Sequence, residues 1–223
     1  MADPGDIVRR GYDALAPRYG EWRAAITGSP DDEWLGDFLG KISSPADVLE
    51  VGCGQGEWAP RFLEAGHRYL GVDVSEEQLR RARDRAPGAE FRRGDIMELE
   101  LELGSFDAAV AIYVFGHVPR AKLPGLLERI GVWLRPGGLL LATFGRSGWE
   151  GVEEDFLGVP MFFGSYSDEE TRELLLAAGF ELERVEVVPI EEPEGPATFL
   201  WVLSRKPAAE PPGRRGGSRL RRQ

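Results

Sequence analysis

The sequence predicts an α/β fold with a mostly parallel β-sheet, and three observations support this. Short apolar stretches typical of buried strands alternate with amphipathic stretches typical of helices, which favours parallel strands joined by right-handed crossovers. Two of the strands, Phe106–Tyr113 and Leu139–Phe144, are almost continuously apolar, as strands covered on both faces are. A glycine-rich turn at 52–56 follows the first central strand, at the end of the sheet where such folds bind their ligands.

Two helices and a strand are predicted at the amino-terminal end. Asp6–Ala25 is amphipathic, and Pro17 is expected to kink or end it. Asp31–Lys41 carries acidic residues in its first turn, where the helix dipole favours them. Ala46–Val51 is the first central strand, because it leads directly into the glycine-rich turn.

The next three elements alternate between helix and strand. Glu57–Ala65 is a predicted helix that a glycine closes, and Arg68–Asp73 is the second strand. Glu76–Arg85 is a helix with Ser75 as its N-cap, and Gln78 stands where the second residue of a capping box is expected.

The following elements complete the predicted parallel sheet. Ala89–Arg92 is a short strand, and Phe106–Tyr113 is the fourth. Lys122–Leu134 is a helix, which Pro136-Gly137-Gly138 is expected to stop. Leu139–Phe144 is the buried strand after it.

A long connection and three last elements end the predicted fold. Residues 145–166 exceed the roughly 2–6 residues usual for a connection between a strand and a helix. Asp168–Ala178 is a helix closed by Gly179, and Phe180–Val188 and Thr198–Ser204 form a late strand pair.

Composition indicates a compact protein without a membrane span. The 223 residues suit one domain, and 42% are apolar, enough for a sizeable core. No apolar run approaches the ~18 residues that cross a bilayer, and no signal peptide pattern is present, so we expect a cytoplasmic protein. The single cysteine, Cys53, excludes an internal disulfide framework, and no metal site is predicted.

Charge is unevenly distributed along the chain. The net charge is −11, yet residues 204–223 hold seven basic side chains and one acidic one, so the rest is more acidic still. Such a body repels a phosphate backbone, which counts against nucleic acid as the main substrate. The basic tail at 207–223 is predicted to be disordered, either as a solvated extension or as a weak contact to RNA or an acidic partner.

Two motifs at predicted strand ends indicate a nucleotide-type ligand. The glycines at 52, 54 and 56 form a GxGxG pattern, whereas a dinucleotide GxGxxG would need glycine where Glu57 stands. Backbone N–H groups in such a turn favour a polar or anionic group. Asp73 follows Gly52 by 21 residues and ends the next strand, the spacing expected of an acid that binds ribose hydroxyls.

Five segments appear in the order and at the approximate spacings of one family: Glu50–Gly56, Gly71–Ser75, Gly94–Ile96, Phe106–Val110 and Leu134–Gly138. Over roughly residues 10–205 the chain resembles class I S-adenosylmethionine-dependent methyltransferases of the small single-domain type, similar to methyltransferase domains 11 and 25. The resemblance implies a Rossmann-like, doubly wound sheet of seven strands, mostly parallel with an antiparallel last strand, and helices on both faces. It also implies one domain over 1–206 and S-adenosylmethionine as cofactor, with S-adenosylhomocysteine as product.

The resemblance assigns roles to several residues of the cofactor site. Glu50 is expected to orient the glycine loop and the methionine portion, and Asp73 to bind the ribose. Val74 would pack on the adenine ring. Asp95 would accept a hydrogen bond from the adenine amino group, and Ile96 would lie beside the ring. The other predicted cofactor contacts come from the lid, the loop, the following helix and the fourth strand: Tyr19, Gly52, Cys53, Gly54, Gly56, Gln78 and Tyr113.

The remaining site predictions concern the lid, the acceptor and a base. Residues 1–42 resemble a helical lid over the cofactor, although Tyr19 would also suit simple packing on the sheet. The connection at 145–166 is expected to cover the acceptor, which its aromatic residues would bind and its acids would attract if it were an amine. His117 is the candidate general base, or else a structural loop histidine, and His67 is expected to be exposed. The predicted acceptor-binding residues are Trp149, Phe162, Phe163 and Tyr166.

These observations predict a methyltransferase that acts on a small molecule through an oxygen or nitrogen nucleophile, with oxygen favoured. A monomer or homodimer is expected, without nucleic acid or membrane partners. Two alternatives stay open: a non-catalytic cofactor-binding or scaffold protein, and a dinucleotide-dependent oxidoreductase, which the GxGxG spacing disfavours. Protein and nucleic acid acceptors are disfavoured because no NPPY-like or DPPY-like tetrad, which would hold an amide or amino group, follows strand four. The chain has Ile112–Phe115 at that place.

Overall fold

The computed structural model describes residues 3–209, so most of the predicted disordered tail lies outside the described residues. Nine strands are present in this part of the chain. They are β1 (Asp47–Val51), β2 (Arg68–Asp73), β3 (Glu90–Arg93), β4 (Phe106–Ala111), β5 (Leu134–Phe144), β6 (Glu150–Phe156), β7 (Val159–Gly164), β8 (Glu181–Glu192) and β9 (Gly195–Arg205).

Six α-helices accompany these strands in the described residues, together with two short 3₁₀ turns at Phe115–His117 and Arg120–Lys122. The helices are α1 (Pro4–Ala25), α2 (Asp31–Lys41), α3 (Ala59–Glu64), α4 (Glu76–Arg85), α5 (Leu123–Trp133) and α6 (Asp168–Ala177). None of them combines the length and apolar character that a bilayer span requires.

Seven strands form one sheet in the order β3-β2-β1-β4-β5-β9-β8. The first five are parallel, and β9 is inserted antiparallel between β5 and β8. This arrangement confirms the predicted doubly wound sheet with an antiparallel last strand. Because the crossovers leave β1 in opposite directions, the carboxyl ends of β1 and β4 form the crevice where ligands bind in such folds.

Helices cover both faces of the sheet, as predicted. On one face α2 and α3 bury Trp34, Phe38 and Phe62 against the strands. On the other face α5 and α6 bury leucine-rich surfaces, including Leu126 and Leu175. Each large apolar side chain removed from water in this way contributes about 1.5–3 kcal/mol.

A third, smaller apolar cluster lies above the carboxyl ends of the strands. It joins Val8 and Leu15 of α1 to Met161 and Phe162 of β7. Of the predicted lid over residues 1–42, α1 lies above the ends of the strands, whereas the large apolar side chains of α2 belong to the core of the sheet.

Several element boundaries differ from their predictions for local reasons. Helix α1 begins earlier, at Pro4, because Asp3 caps it by accepting from the backbone N–H of Gly5 at 2.9 Å. It also continues through Pro17 rather than ending there. Helix α3 begins late, at Ala59, because Pro60 is accommodated only in a first turn.

The predicted start of the strand after Pro136-Gly137-Gly138 is wrong. Helix α5 ends at Trp133, one residue before its predicted end, but β5 begins at Leu134 and includes these three residues. The backbone N–H of Gly137 donates to the Lys206 carbonyl at 2.9 Å, and that of Lys206 donates to Gly138 at 2.8 Å. Pairing with a distant part of the chain therefore extends β5 through a sequence that locally indicates a break.

The long connection at 145–166 contains a β-hairpin, which was not predicted. Strands β6 and β7 pair antiparallel and are joined by Leu157 and Gly158, both of which have positive φ. Two-residue hairpin turns require this backbone conformation. The hairpin packs on α1 through the third apolar cluster, so the two elements cover the ends of the strands together.

Candidate active site

Two cavities lie at the carboxyl ends of the central strands and share an aromatic boundary. The smaller, of about 130 Å³, lies over the loop after β1. The larger, of about 400 Å³, lies between α1, the hairpin and the ends of β4 and β5. Four residues line both cavities: Tyr12, Tyr19, Tyr113 and His117. A ligand in one cavity would therefore meet a ligand in the other at these four side chains.

The glycine loop and Asp73 form the floor of the smaller cavity. The Asp73 carboxylate accepts from the backbone N–H of Gly54 and from that of Ser75, each at 2.8 Å. Burial raises the pKa of Asp73 to about 6, against the opposing effect of these backbone donors. Gly52 and Val74 line the same cavity, so a carboxylate with free acceptor capacity faces a ligand beside an apolar wall.

The other end of the smaller cavity is formed by Asp95 and Ile96. Oδ1 of Asp95 accepts from the backbone N–H of Met97 at 2.8 Å, which fixes the carboxylate. An anchored acceptor beside apolar side chains suits the amino edge of a planar heterocycle.

Three predicted cofactor contacts lie behind the loop and do not line either cavity. Glu50 is buried and accepts from the Tyr69 hydroxyl at 2.5 Å, and burial raises its pKa to about 8. Cys53 is buried with its Sγ toward Gly71, and burial raises the pKa of its thiol. Gly56 packs against Ala82 and Phe91. Cys53 and Gly56 were predicted to contact the cofactor directly. In the structure they line neither cavity and instead support the loop from behind.

Helix α1 is fastened over the smaller cavity by two polar contacts. Ser75 Oγ donates to Oδ1 of Asp13 at 2.6 Å, which ties α1 to the start of α4. Nε2 of the buried Gln55 donates to the Ala16 carbonyl at 2.9 Å. The glycine loop and the start of α4 thus both hold α1 directly.

Tyr113 is fixed at the boundary between the cavities. It follows β4 with a φ of 59°, and its backbone N–H donates to Thr143 Oγ1 at 2.6 Å. Its ring packs edge-on against Phe199, with centroids 4.8 Å apart, and the Arg23 guanidinium lies over it. Burial raises the pKa of Tyr113 to about 12, so it is a neutral wall rather than an acid.

The larger cavity combines aromatic walls with carboxylates. Besides the shared residues, its aromatic lining is Trp22, Trp149, Phe156, Phe163 and Phe199. Its acidic lining is Glu153, Asp155, Glu192 and Glu194. Glu194 accepts from Trp22 Nε1 at 2.8 Å, while the one basic lining residue, Arg23, is paired with Asp31. The free charge in this cavity is therefore negative.

Two of the four predicted acceptor-binding residues line the larger cavity, and two do not. Trp149 and Phe163 face it. Phe162 instead packs in the apolar cluster with α1, because neighbouring residues of a strand point to opposite faces. Tyr166 lies outside both cavities, where its hydroxyl donates to the Arg120 carbonyl at 2.8 Å. Phe162 and Tyr166 therefore do not line the cavity in which an acceptor would lie, contrary to their prediction as acceptor-binding residues.

His117 and Tyr12 form a hydrogen-bonded pair at the boundary. Nδ1 of His117 lies 2.9 Å from the Phe162 carbonyl and must donate to it, so Nε2 accepts from the Tyr12 hydroxyl at 2.8 Å. Burial lowers the pKa of His117 to about 4, so the ring is neutral at pH 7. The other histidine, His67, was predicted to be exposed but is buried, and its Nδ1 accepts from the backbone N–H of Ala46.

Comparison with known proteins finds similarity to methyltransferases. A family model described as a methyltransferase domain matches residues 48–138, which hold the glycine loop, Asp73, Asp95 and Tyr113. The chain is 34% identical over 139 residues to a probable S-adenosylmethionine-dependent methyltransferase of Mycolicibacterium smegmatis, covering 61% of this chain and 52% of that protein. It is 35% identical over 131 residues to the 27-O-demethylrifamycin SV methyltransferase of Amycolatopsis mediterranei, covering 55% and 43%. The matches thus span about half the length of these relatives.

A solved structure resembles almost the whole chain. The 1,6-didemethyltoxoflavin-N1-methyltransferase of Burkholderia thailandensis, solved with 1,6-didemethyltoxoflavin and S-adenosylhomocysteine bound, superposes with a TM-score of 0.71 at 25% identity. The match covers 93% of this chain and 92% of that one. Residues 48–138 thus match a methyltransferase-domain family, and the fold resembles that of S-adenosylmethionine-dependent methyltransferases.

The smaller cavity has the chemistry that S-adenosylmethionine would require. Asp73 offers the acceptor that a ribose diol needs, and Asp95 offers the acceptor that an adenine amino group needs. Tyr12, Tyr19 and Tyr113 form the boundary that the smaller cavity shares with the larger one.

Sequence reasoning missed Tyr12, although a signal for it exists. Tyr12 and Tyr19 are seven residues apart, which places them two turns apart on one face of α1. Their rings meet edge-on with centroids 5.4 Å apart. The periodicity of α1 therefore contained the second lid tyrosine as well as the first.

Asp73→Asn is expected to weaken the binding of S-adenosylhomocysteine at pH 8 by roughly 10–100-fold, because it removes charge-assisted hydrogen bonds. In the wild type, affinity should fall as the pH drops through about 6, since Asp73 then takes up a proton and loses its charge. Calorimetric titration between pH 5 and 8 checks both effects. Affinity of the asparagine variant should stay flat over this pH step, and exposed Asp84→Asn on α4 should behave like the wild type. A wild-type profile that matches the asparagine variant would remove Asp73 from the ribose site.

Proposed function

We propose that this chain transfers the methyl group of S-adenosylmethionine to a small planar molecule held in the larger cavity. The observation that carries the proposal is the meeting of the two cavities at Tyr12, Tyr19, Tyr113 and His117. Methyl transfer is an in-line displacement, so the nucleophile must approach from the side opposite the sulfur. Two neighbouring cavities that share one aromatic boundary support that alignment, with the methyl donor on one side and the acceptor on the other.

The boundary between the cavities also suits the charge of the cofactor. A bound sulfonium is a cation, and the faces of tyrosine rings attract cations. The rings of Tyr12, Tyr19 and Tyr113 line both cavities at this boundary and would shield a sulfonium there from water. Alignment and desolvation by these side chains would supply most of the rate, since S-adenosylmethionine itself brings the activated methyl group.

The lining of the larger cavity supports a planar acceptor that carries a positive charge or an amine. Its aromatic walls favour a flat ring system, and Glu153, Asp155 and Glu192 form no ion pair with a described basic residue. The related Burkholderia enzyme has a nitrogen acceptor by its name, and the Amycolatopsis relative has an oxygen one. Both nucleophiles are therefore included in the proposal.

The hydrogen bond between Tyr12 and His117 supports a role for this pair in removing a proton from the nucleophile. The acceptor's O–H or N–H would donate to Tyr12 Oη, while the tyrosine hydrogen moves along its existing bond to His117 Nε2. The Phe162 carbonyl, which accepts from Nδ1, would stabilise the imidazolium that results. The tyrosine oxygen thus relays the proton, and the histidine keeps it.

The experiment is calorimetry on the full chain with S-adenosylhomocysteine and, in parallel, NADH, followed by assays of methyl transfer from S-adenosylmethionine. The acceptor set pairs amines and phenols of equal size with and without a permanent positive charge. Binding of S-adenosylhomocysteine and faster transfer to the cationic members are expected. Cofactor binding without transfer to any acceptor would favour the non-catalytic alternative, and binding of NADH alone would favour oxidoreduction.

A further inference from the structure

A buried hydroxyl in the wall of the larger cavity lacks an acceptor for its hydrogen. Thr143, the last residue but one of β5, is only 1% exposed and lines this cavity. Its Oγ1 accepts from the backbone N–H of Tyr113, and it donates to no group among residues 3–209. A buried O–H group without an acceptor is unfavourable, so this hydrogen calls for a partner in the cavity.

The position of Thr143 on β5 explains why its side chain faces the cavity. Leu139 and Leu141 pack on the face of the sheet that α2 and α3 cover, and Thr143 shares that face because side chains alternate along a strand. At the carboxyl end of β5 the larger cavity, rather than a helix, lies over this face. The bond from Tyr113 uses a lone pair of Oγ1 and leaves its hydrogen unused.

A second buried hydroxyl lies near the end of β5. Ser165 follows β7, is 9% exposed and lines the same cavity. Its Cβ would lie 3.1 Å from a Cβ built at Gly145, two residues after Thr143. The Ser165 hydroxyl lies 2.7 Å from that of the exposed Ser147, and either can be the donor. When Ser147 donates, the hydrogen of Ser165 is also free for a ligand.

We infer that Thr143 is a specificity-determining residue that donates from Oγ1 to a carbonyl oxygen of the methyl acceptor, with Ser165 as a second donor. The inference rests on the proposed function, in which the acceptor occupies the larger cavity. A carbonyl oxygen has two lone pairs and can accept from both hydroxyls, whereas a ring nitrogen has one. A carboxylate could also accept twice, but Glu153 and Asp155 in the same cavity would repel it. The acceptor class is therefore planar compounds with a neutral carbonyl at one edge.

The hydroxyls make the cavity selective against planar compounds without a carbonyl. Such a compound would leave the Thr143 hydrogen buried and unpaired, and sites built for hydrogen bonds discriminate strongly against ligands that lack the partner group. The aromatic walls would bind both kinds of compound, because ring packing does not need a carbonyl. The walls thus select for a flat shape, and Thr143 selects for the polar edge.

The test measures, by calorimetry on the full chain with and without S-adenosylhomocysteine, the affinity for three planar phenols at a pH at which all are neutral. 6-Hydroxycoumarin and 7-hydroxycoumarin carry a ring carbonyl, whereas 2-naphthol is a bicyclic phenol of similar size without one. The wild type should bind at least one coumarin about tenfold more tightly than the naphthol. In Thr143→Val, which keeps the shape and removes the hydroxyl, this preference should fall to about two- to threefold. Adding Ser165→Ala should abolish it.

Two further variants separate this role from a structural one. Thr143→Ser keeps the hydroxyl and should retain the wild-type preference within about twofold. Thr171→Val changes another buried threonine, which lines neither cavity, and should behave like the wild type. If Thr143 only held the backbone of Tyr113, Thr143→Val would weaken the binding of coumarin and naphthol equally.

The outcomes distinguish this inference from the proposed function. A wild type without a preference for either coumarin, whether it binds all three phenols equally or none, would overturn the inference. A preference that survives in Thr143→Val would do the same. A wild type that prefers a coumarin yet transfers no methyl group from S-adenosylmethionine to any acceptor would instead overturn the proposed function and leave Thr143 as a ligand-binding residue.

Discussion

Gly52→Val is expected to lower the affinity for S-adenosylhomocysteine by about 1,000-fold while the sheet still folds. Gly52 has a φ of +63°, and a Cβ there would lie 2.4 Å from Cγ2 of Val114. Backbone strain and overpacking each contribute about 1–3 kcal/mol, and both fall on the loop that lies against the cofactor. Calorimetry reports the affinity, and far-ultraviolet circular dichroism reports the fold.

Two further variants separate the causes of this loss. Gly36→Val on α2 is the matched control, because a Cβ at Gly36 meets nothing within 4 Å. In the double variant Gly52→Ala with Val114→Ala, the two contacts shorter than 3.0 Å are removed, so part of the affinity should return. The strained backbone and a contact of 3.2 Å to the Cβ of residue 114 remain. If Gly52→Val binds within a few-fold of the wild type, the loop is not where the ligand lies.

Tyr12→Phe and His117→Ala are each expected to slow methyl transfer by about 100-fold, the lower end of what general-base catalysis contributes. Tyr12→Phe removes the hydroxyl that meets the nucleophile, and His117→Ala removes the nitrogen that takes the proton. Cofactor affinity should change less than threefold, because ribose and adenine are held elsewhere. Single-turnover rates with a saturating acceptor measure the chemical step.

The double variant decides whether the two side chains act in one step. If the proton passes from Tyr12 to His117, Tyr12→Phe with His117→Ala should be no slower than the slower single variant. Multiplied losses would show independent roles and contradict the relay. Tyr166→Phe, outside both cavities, is the control and should retain the wild-type rate.

The fold was predictable where the signals are local. Helices α2 and α4 and strand β2 have the predicted bounds, because acidic first turns, the Ser75 cap and flanking glycines act within a few residues. Strand β5 was not predictable at its start, since its pairing partner Lys206 lies at the far end of the chain. The β6–β7 hairpin was missed for a similar reason, because its acidic and aromatic residues suit a loop equally well.

The candidate site shows the same division. Asp73, which was singled out by its strand-end position, lines the cavity together with Asp95 and Ile96, which the family resemblance indicated. Phe162 and Phe163 were both predicted to bind the acceptor, which requires their side chains to lie on one surface. An irregular loop allows this, but in strand β7 the two neighbouring side chains point to opposite faces. The buried Glu50 carboxylate accepts from the hydroxyl of Tyr69 on the neighbouring strand, a partner that the linear sequence does not place beside it.

The β6–β7 hairpin and the residues before it line the larger cavity but not the smaller one. Residues 145–166 supply Trp149, Glu153, Phe156 and Phe163 to the acceptor cavity, and none of them lines the cofactor cavity in the described structure. The hairpin contacts His117 through the Phe162 carbonyl, which any amino acid at that position would provide, and through the Phe163 ring, whose centroid lies 4.8 Å from that of His117. Evolution, or a protein engineer, can therefore exchange Trp149, Glu153 and Phe156 to suit a new ligand in the larger cavity without altering a side chain that lines the smaller one.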